Sequence, residues 1–350
     1  MISATLAALL AAAPAAAAPP PPADGKVLVA VAPGPSEIVA KAPAGDWVPI
    51  APDDLLVMDL ASDAKGRARR VVIQLMPAPF SQGWVGNIRK LAAAHWWDGT
   101  AVTRVQDNYV AQWGDPEADN PAKAKKLPAG LAVVPESEYT SETPEKIRMR
   151  IKVERAASSD KEWGRGQSPC RWDRHSKTYD CVDVSSLYYP LTRYADVEQV
   201  YHGWPLATDY EQAWPVHCYG MVGVGRNLSP DTGSGAELYA VIGHAPRHLD
   251  RNIALVGRVI AGIEHLSSLP RGHGALGFYE VAQGDERVPI TAIRIGSEVA
   301  GLPRYQYLST ESASFAAYAN ARANRHDAFF IRPAGGADIC NVPVPVRVAK

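Results

Sequence analysis

Arg104-Val105-Gln106-Asp107-Asn108-Tyr109-Val110-Ala111-Gln112-Trp113-Gly114-Asp115-Pro116 is the stretch on which the reading of this chain turns. Its first half belongs to a strand-like segment, Val102 to Gln112, rich in β-branched and aromatic residues. Asp98-Gly99 just upstream is a turn signal. Before it, Phe80, Trp84, Ile88 and Leu91 recur at helical spacing, which predicts a helix over 80–94. Earlier still, Val71 and Ile73 alternate with Val72 and Gln74, so 69–75 reads as a strand. Leu55 to Leu60 reads as another strand, and the charged stretch Asp63 to Arg67 between them as a hairpin turn.

Downstream the texture changes over residues 119–216. A Lys/Ala/Pro stretch, Pro121 to Pro128, comes first. Ile147, Met149, Ile151 and Val153 then alternate with Arg148, Arg150, Lys152 and Glu154, the pattern of a half-buried strand. Trp163 to Cys181 is dense in Arg, Trp, Gly and Ser. The patterns tighten again at His217–Gly225, Leu238–Ile242 and Ile253–Glu264, and Val288–Ile295 alternates as a late strand. Ser309 to Arg325 reads as a helix with a Ser/Thr cap and Glu311 in its first turn. Near the start, Ser36-Glu37-Ile38-Val39 predicts a short helix capped by Ser36. No internal repeat is visible, and a mainly β chain with two or three helices favours a barrel or a sandwich.

Bulk properties narrow the function classes. With 36 basic and 37 acidic residues the formal net charge is -1, and no basic stripe of the kind nucleic-acid binders carry is evident. Ile2 to Ala18 is almost wholly small and apolar, ending in an Ala run before Pro19 to Pro22. That run is short for a membrane span of about 20 residues, and its small residues suit signal peptidase. No Lys or Arg precedes it, yet a cleaved signal peptide over 1–20 is the expectation, which places the mature chain in a bacterial periplasm or cell envelope. Cys170, Cys181, Cys218 and Cys340 fit an oxidising compartment, where four cysteines allow three pairings. Cys170 with Cys181 would close a short loop, and Cys218 with Cys340 would tie the C-terminal tail to the body. Zinc, with His175 or His217, is the alternative, but no CxxC or HxxxH spacing supports it.

Three other motifs carry less. Asp231-Thr232-Gly233-Ser234 matches the aspartic-protease string, but Ser229-Pro230 precede it and no partner aspartate is in view. The pairs Trp96-Trp97 and Tyr188-Tyr189 read as core or strand residues. The loop Trp163 to Arg174 reads as a solvated, cysteine-pinned segment.

The opening stretch closely resembles a family signature. Arg104-Val105, Asn108-Tyr109-Val110 and Gln112-Trp113-Gly114-Asp115-Pro116 are similar to F-H-R-V-I-x-x-F-M-I-Q-G-G-D-P of the cyclophilin peptidyl-prolyl cis-trans isomerases, ungapped from Arg104 through Gln112 to Asp115. Val71 to Leu75, Pro79, Asn87-Ile88-Arg89 and Trp97-Asp98-Gly99-Thr100 resemble the preceding strand, helix and turn of that family. His248-Leu249-Asp250, Val256-Gly257-Arg258-Val259 and Gly262-Ile263-Glu264 resemble W-L-D-G-K-H-x-x-F-G-x-V-x-x-G-M-D. The resemblance covers roughly 47–118 and 217–297 and implies a closed eight-stranded antiparallel barrel capped by two helices, 80–94 and one around 260–266. The implied organisation is a signal peptide 1–20, a Pro/Ala-rich segment 21–46, a cyclophilin-like domain 47–300 interrupted by an insert 119–216, and a C-terminal extension 301–350.

The resemblance also assigns a site without a cofactor. Arg104 becomes the catalytic cation and Gln112 the anchor of the peptide backbone; Tyr109 and Val110 line the proline pocket and Leu249 closes its rim. The family's G-S-Q-F-F-I strand aligns with Gly235-Ala236-Glu237-Leu238-Tyr239-Ala240, which puts a carboxylate, Glu237, in place of an amide. An ungapped count back from Leu249 puts Tyr239 and Ala240 at the paired aromatic positions instead; both alignments keep Tyr239 in the pocket. Ile253 replaces a pocket histidine, and Val224-Gly225-Arg226 replaces M-A-N. His248 stands where the family's cyclosporin-binding tryptophan would be, so weak cyclosporin binding is expected. The implied partners are proline-containing segments of envelope or secreted proteins. A non-catalytic peptide-binding or chaperone module on the same fold is the rival reading. The insert, leaving the barrel right after the Gln112 strand, is expected to flank the groove.

Overall fold

The computed structural model describes residues 32–145, 147, 170–173, 178–181, 189–190 and 194–349. The proposed signal peptide, most of the strand expected at 147–153 and most of the Arg/Trp-rich loop lie outside them. In chain order the strands begin with β1 (Trp47–Pro49), β2 (Leu55–Leu60), β3 (Arg69–Leu75), β4 (Ala101–Val105) and β5 (Val110–Gly114). The insert carries β6 (Ser141–Glu142), β7 (Cys170–Asp173), β8 (Thr178–Cys181), β9 (Tyr189–Pro190), β10 (Val197–Tyr201), β11 (Trp204–Thr208) and β12 (Gln212–Pro215). After it come β13 (Met221–Val224), β14 (Leu238–Val241), β15 (Leu255–Ala261), β16 (Val288–Ile295), β17 (Tyr305–Leu308) and β18 (Val346–Val348). Helices α1 (Pro35–Lys41), α2 (Gln82–Ala93), α3 (Glu264–Ser267) and α4 (Ala313–Ala323) complete the main elements.

Eight strands close into an antiparallel barrel in the order β13-β14-β5-β4-β16-β2-β3-β15. The β2–β3 hairpin pairs Leu55 with Gln74 through Leu60 with Arg69. Its turn is held by Asp63, whose carboxylate accepts from the backbone N–H of Lys65 and of Arg67, each at 2.9 Å. This is the local side-chain bonding that makes aspartate a turn former. Leu56, Met58, Val71, Ile73, Val102, Trp113, Leu238 and Ile293 fill the interior. α2 lays Trp84, Val85, Ile88 and Leu91 against that core, as the spacing predicts.

Four local expectations are corrected. The segment 102–112 is not one strand but the β4–β5 hairpin, turning at Asn108 with φ +50°. Asparagine tolerates that left-handed conformation, so the turn needed no glycine or proline to mark it. The second capping helix shrinks to the single turn α3, because Val259 and Ala261 stay paired with β3. Gly262, at φ +80°, then bends the chain so close to Arg70 that a Cβ there would lie 2.0 Å from its carbonyl oxygen. α1 starts at Pro35 after Gly34, with no side-chain cap, so Ser36 lies inside it; proline suits a first helical position. α4 is capped by Ser312, which accepts from the Phe315 N–H, leaving Glu311 outside the helix.

The insert forms its own antiparallel sheet, β6-β12-β11-β10-β9. It is fastened on the α2 side: Tyr139 stacks on Trp84 at 5.3 Å, and Glu138 accepts from the Gly83 N–H at 3.0 Å. It is also fastened at β15, where buried Arg258 donates to Gln74 Oε1 and to the Gly203 carbonyl oxygen, between the Trp204 and Tyr307 rings. The third sheet, β1-β17-β18, brings the C-terminal segment beside the start of the barrel. A Cys218–Cys340 disulfide ties that segment down, which removes Cys218 from any zinc reading. Cys170 and Cys181 face one another in the β7–β8 register. Asp231 caps its own loop through the Asn227 and Gly233 N–H groups, and the Thr232 hydroxyl donates to Val134 O, a structural use of the D-T-G-S string. Among the described residues no helix is long and apolar enough to cross a membrane.

Candidate active site

Three adjacent strands present the site on the outer face of the barrel. Gln112 on β5 lies opposite Arg104 on β4 and opposite Tyr239 on β14, and directly paired residues share one face of a sheet. The two-residue period adds Val110 beside Gln112 and Glu237 beside Tyr239. Leu238 and Ala240 point the other way into the barrel core. Tyr239 thus shares a face with Gln112, as both alignments require, and Glu237 lies beside the Gln112 amide.

All seven expected residues, Arg104, Tyr109, Val110, Gln112, Glu237, Tyr239 and Leu249, line one cavity of about 570 Å³. Its apolar end is a cluster separate from the barrel core, in which Val110, Tyr239 and Val241 are packed by Tyr109 and Ile253. Leu249 sits on a one-turn 3-10 helix, Arg247–Leu249, at the rim. His248 stacks on Tyr109 at 6.4 Å.

The polar end is a connected row. Arg104 Nη1 donates to Gln112 Oε1 at 3.0 Å, and Gln112 Nε2 donates to Glu237 Oε1. The amide thus turns its oxygen to the cation and its N–H to the carboxylate. Arg104 Nη2 donates to Gln106 Oε1. Burial draws the Arg104 pKa below the ordinary arginine range, with Tyr109 and Glu237 pulling it back. Burial raises the Glu237 pKa, opposed by the Gln112 hydrogen bond. A guanidinium has five N–H donors, and three of those on Arg104 are used among the described residues, one on each nitrogen. Each terminal nitrogen therefore keeps one N–H for a bound group.

Sequence reasoning missed the segment that forms the third wall. Leu276, at φ +56°, turns its carbonyl oxygen to Arg104 Nε at 2.7 Å, and the Phe278 ring lies 5.2 Å from the guanidinium carbon. The segment runs along β4, with Gly272 N–H on Val105 O and Tyr279 N–H on Thr103 O. A Cβ on Gly272 would lie 2.2 Å from Gly277 O, so this fold-back requires glycine there. The closely spaced Gly272, Gly274 and Gly277 were the available signal. Among the described residues the insert borders the groove only through its first residue, Asp119, which follows Asp115, Pro116 and Ala118 along the rim, and its sheet contributes no lining residue.

A closed antiparallel barrel with a peptide-sized groove on its outer face, an arginine at one end and an apolar pocket at the other, defines the cyclophilin fold class. A family model described as cyclophilin type peptidyl-prolyl cis-trans isomerase/CLD matches residues 66–297, and the chain belongs to this family. Members bind proline-containing peptides as a class. Among solved structures, a cyclophilin from Hirschia baltica aligns over 87% of this chain and 94% of its own, with 19% identity and a TM-score of 0.56, a likeness of fold. A cyclophilin-type isomerase of Cryptosporidium parvum, crystallised in the presence of the dipeptide Ala-Pro, aligns over 68% of this chain and 98% of its own. At 11% identity and a TM-score of 0.34 it carries no argument. No curated protein matches the chain in sequence.

Proposed function

We propose that this chain accelerates cis-trans rotation of Xaa-Pro bonds in exported proteins, with Arg104 as the catalytic cation. The bond resists rotation because conjugation gives it a barrier of roughly 18–20 kcal/mol. As it twists, conjugation is lost and electron density collects on the prolyl nitrogen. A permanently charged guanidinium can donate to that nitrogen in the twisted state and not in the planar one, which is what lowers a barrier. Such a charge-assisted bond is worth about 1.5–3 kcal/mol, or about ten- to hundredfold in rate. Val110, Tyr239 and Leu249 grip the proline ring, and Gln112 fixes both the peptide backbone and Arg104. No metal or cofactor has a step in this scheme.

The observation that carries the reading is the Arg104–Gln112 hydrogen bond at the edge of the apolar pocket. The rival, a peptide-binding module without turnover, draws on two observations: Leu276 O occupies Arg104 Nε, and Glu237 stands where the family has an amide. Acceleration of a short Ala-Pro peptide by the wild-type protein decides between them, since a rate equal to the uncatalysed one defeats the enzyme reading. Action in the periplasm or envelope rests on the apolar N-terminal run, and detection of the cleaved chain in a periplasmic extract tests it.

A further inference from the structure

Among the described residues the insert sheet contributes nothing to the groove wall, yet a buried polar chain runs from it to the groove floor. Glu198 on β10 is fully buried and accepts from Arg247 Nη2 at 2.5 Å. Arg247 Nε donates to Asp250 Oδ2 at 2.7 Å. Asp250 Oδ1 accepts from both the backbone N–H and the Nδ1–H of His217, at 3.0 and 2.8 Å. Since Nδ1 carries the proton, Nε2 is the acceptor, and the Tyr239 hydroxyl donates to it at 2.9 Å. Every side chain in this chain is at most 6% exposed.

We infer that the insert positions the floor of the proline pocket through this relay, so that Glu198, Arg247, Asp250 and His217 are positioning residues acting through Tyr239. Buried ions are retained against a desolvation penalty of several kcal/mol each, and hydrophobic replacements of similar volume are often no less stable. Such a chain is better suited to fixing one arrangement than to adding stability. Its last member is the only one that touches the groove. The room for its hydroxyl is made by Gly223 on β13, where a Cβ would lie 2.3 Å from the Tyr239 oxygen. With that hydroxyl held, the ring cannot slide along the pocket floor. Arg247 and Asp250 also bracket the turn that carries Leu249, so the same relay sets the rim.

The inference rests on the isomerase reading, and Tyr239 touches the proline ring in its planar and twisted forms alike. Loosening it therefore weakens binding of both, which raises KM and leaves kcat nearly unchanged. In the full chain, Glu198→Ala is expected to raise KM for an Ala-Pro peptide about three- to tenfold, the worth of one hydrogen bond. Glu198→Gln, which still accepts from Arg247, restores it. Tyr239→Phe, which deletes only the hydroxyl at the groove end, raises KM by a similar factor, and the double variant is no worse than Tyr239→Phe alone. Leu206→Ala, a core truncation in the same sheet, is the control for general loosening and leaves KM in place. An unchanged KM in Tyr239→Phe, or an equal rise in Leu206→Ala, overturns the relay. Should the wild type prove inactive, the same variants are read by peptide titration and by the Tyr239 ring signal in selectively labelled protein. A signal unmoved by Glu198→Ala then overturns the relay independently of turnover.

Discussion

Arg104 and Gln112 face each other across the β4–β5 hairpin, and the arginine donates to the glutamine side-chain oxygen at 3.0 Å. The pairing exists because Asn108 closes the hairpin in a left-handed turn, so that residues eight apart in sequence become cross-strand neighbours. Gln112 in turn donates to Glu237, so cation, amide and carboxylate form one oriented row. The amide cannot flip without facing its N–H to a cation and its oxygen to a carboxylate. That fixes the guanidinium at the pocket edge before any peptide arrives.

Glu237 is the odd member of the row, and its burial sets a pH dependence. Desolvation raises its pKa above the ordinary 4.5, Gln112 lowers it, Asp119 adds to the rise and Arg104 opposes it. A carboxyl with a raised folded pKa contributes stability below its unfolded pKa and loses it as pH rises through the folded value. Glu237→Gln is therefore expected to be more stable than wild type at pH 7, with the gap closing near pH 4. Urea titrations at the two pH values check this; an equal gap at both contradicts it.

His217 has the opposite dependence. Burial lowers its pKa below 6.5; Asp250 favours the charged ring, Arg247 and His248 oppose it, and Tyr239 is the other group on its ring nitrogens. A depressed histidine contributes stability above its unfolded pKa and loses it as pH falls. Wild-type stability should decline from about pH 6.5 downward, and His217→Gln should flatten that limb. Denaturant midpoints at pH 7.5 and 5.5 measure it, and an unaltered slope in the variant counts against the assignment.

His248 stacks on Tyr109 at the rim, a smaller surface than the tryptophan the family uses to bind cyclosporin. Calorimetry should find weak cyclosporin binding, and His248→Trp should tighten it at least about tenfold, the gain of one buried aromatic contact. A low-nanomolar dissociation constant for the wild type rules this out.

The Cys218–Cys340 bond closes a loop with a sequence separation of 122. Replacing both cysteines by alanine should lower stability by about 2–5 kcal/mol. Equal denaturation midpoints under oxidising conditions would show that the C-terminal segment is held without the bond.

Much of the barrel was legible because its signals are local. The strands at 55–60, 69–75 and 288–295 carry period-two patterns or bulky apolar runs, and Asp63 marks its own turn. The site residues were legible only through the family signature, since an arginine beside a glutamine eight residues on has no spacing of its own. The β4–β5 turn was hidden because Asn108 does silently what glycine would have announced. Leu276 and Phe278 reach Arg104 across the fold, 172 and 174 residues away in sequence. The Glu198–Tyr239 relay draws on four elements and one buried tautomer, and no sequence pattern records such a meeting.

Isomerisation of a short Ala-Pro peptide by wild type, Arg104→Ala and Arg104→Lys tests the central claim most directly. The wild type is expected to accelerate the reaction. Arg104→Ala should lose about ten- to hundredfold in kcat with KM little changed, since the bond forms only in the twisted state. Arg104→Lys should recover part of the loss, because lysine keeps the charge without the fork. Turnover unchanged in Arg104→Ala would contradict the assignment of the catalytic cation.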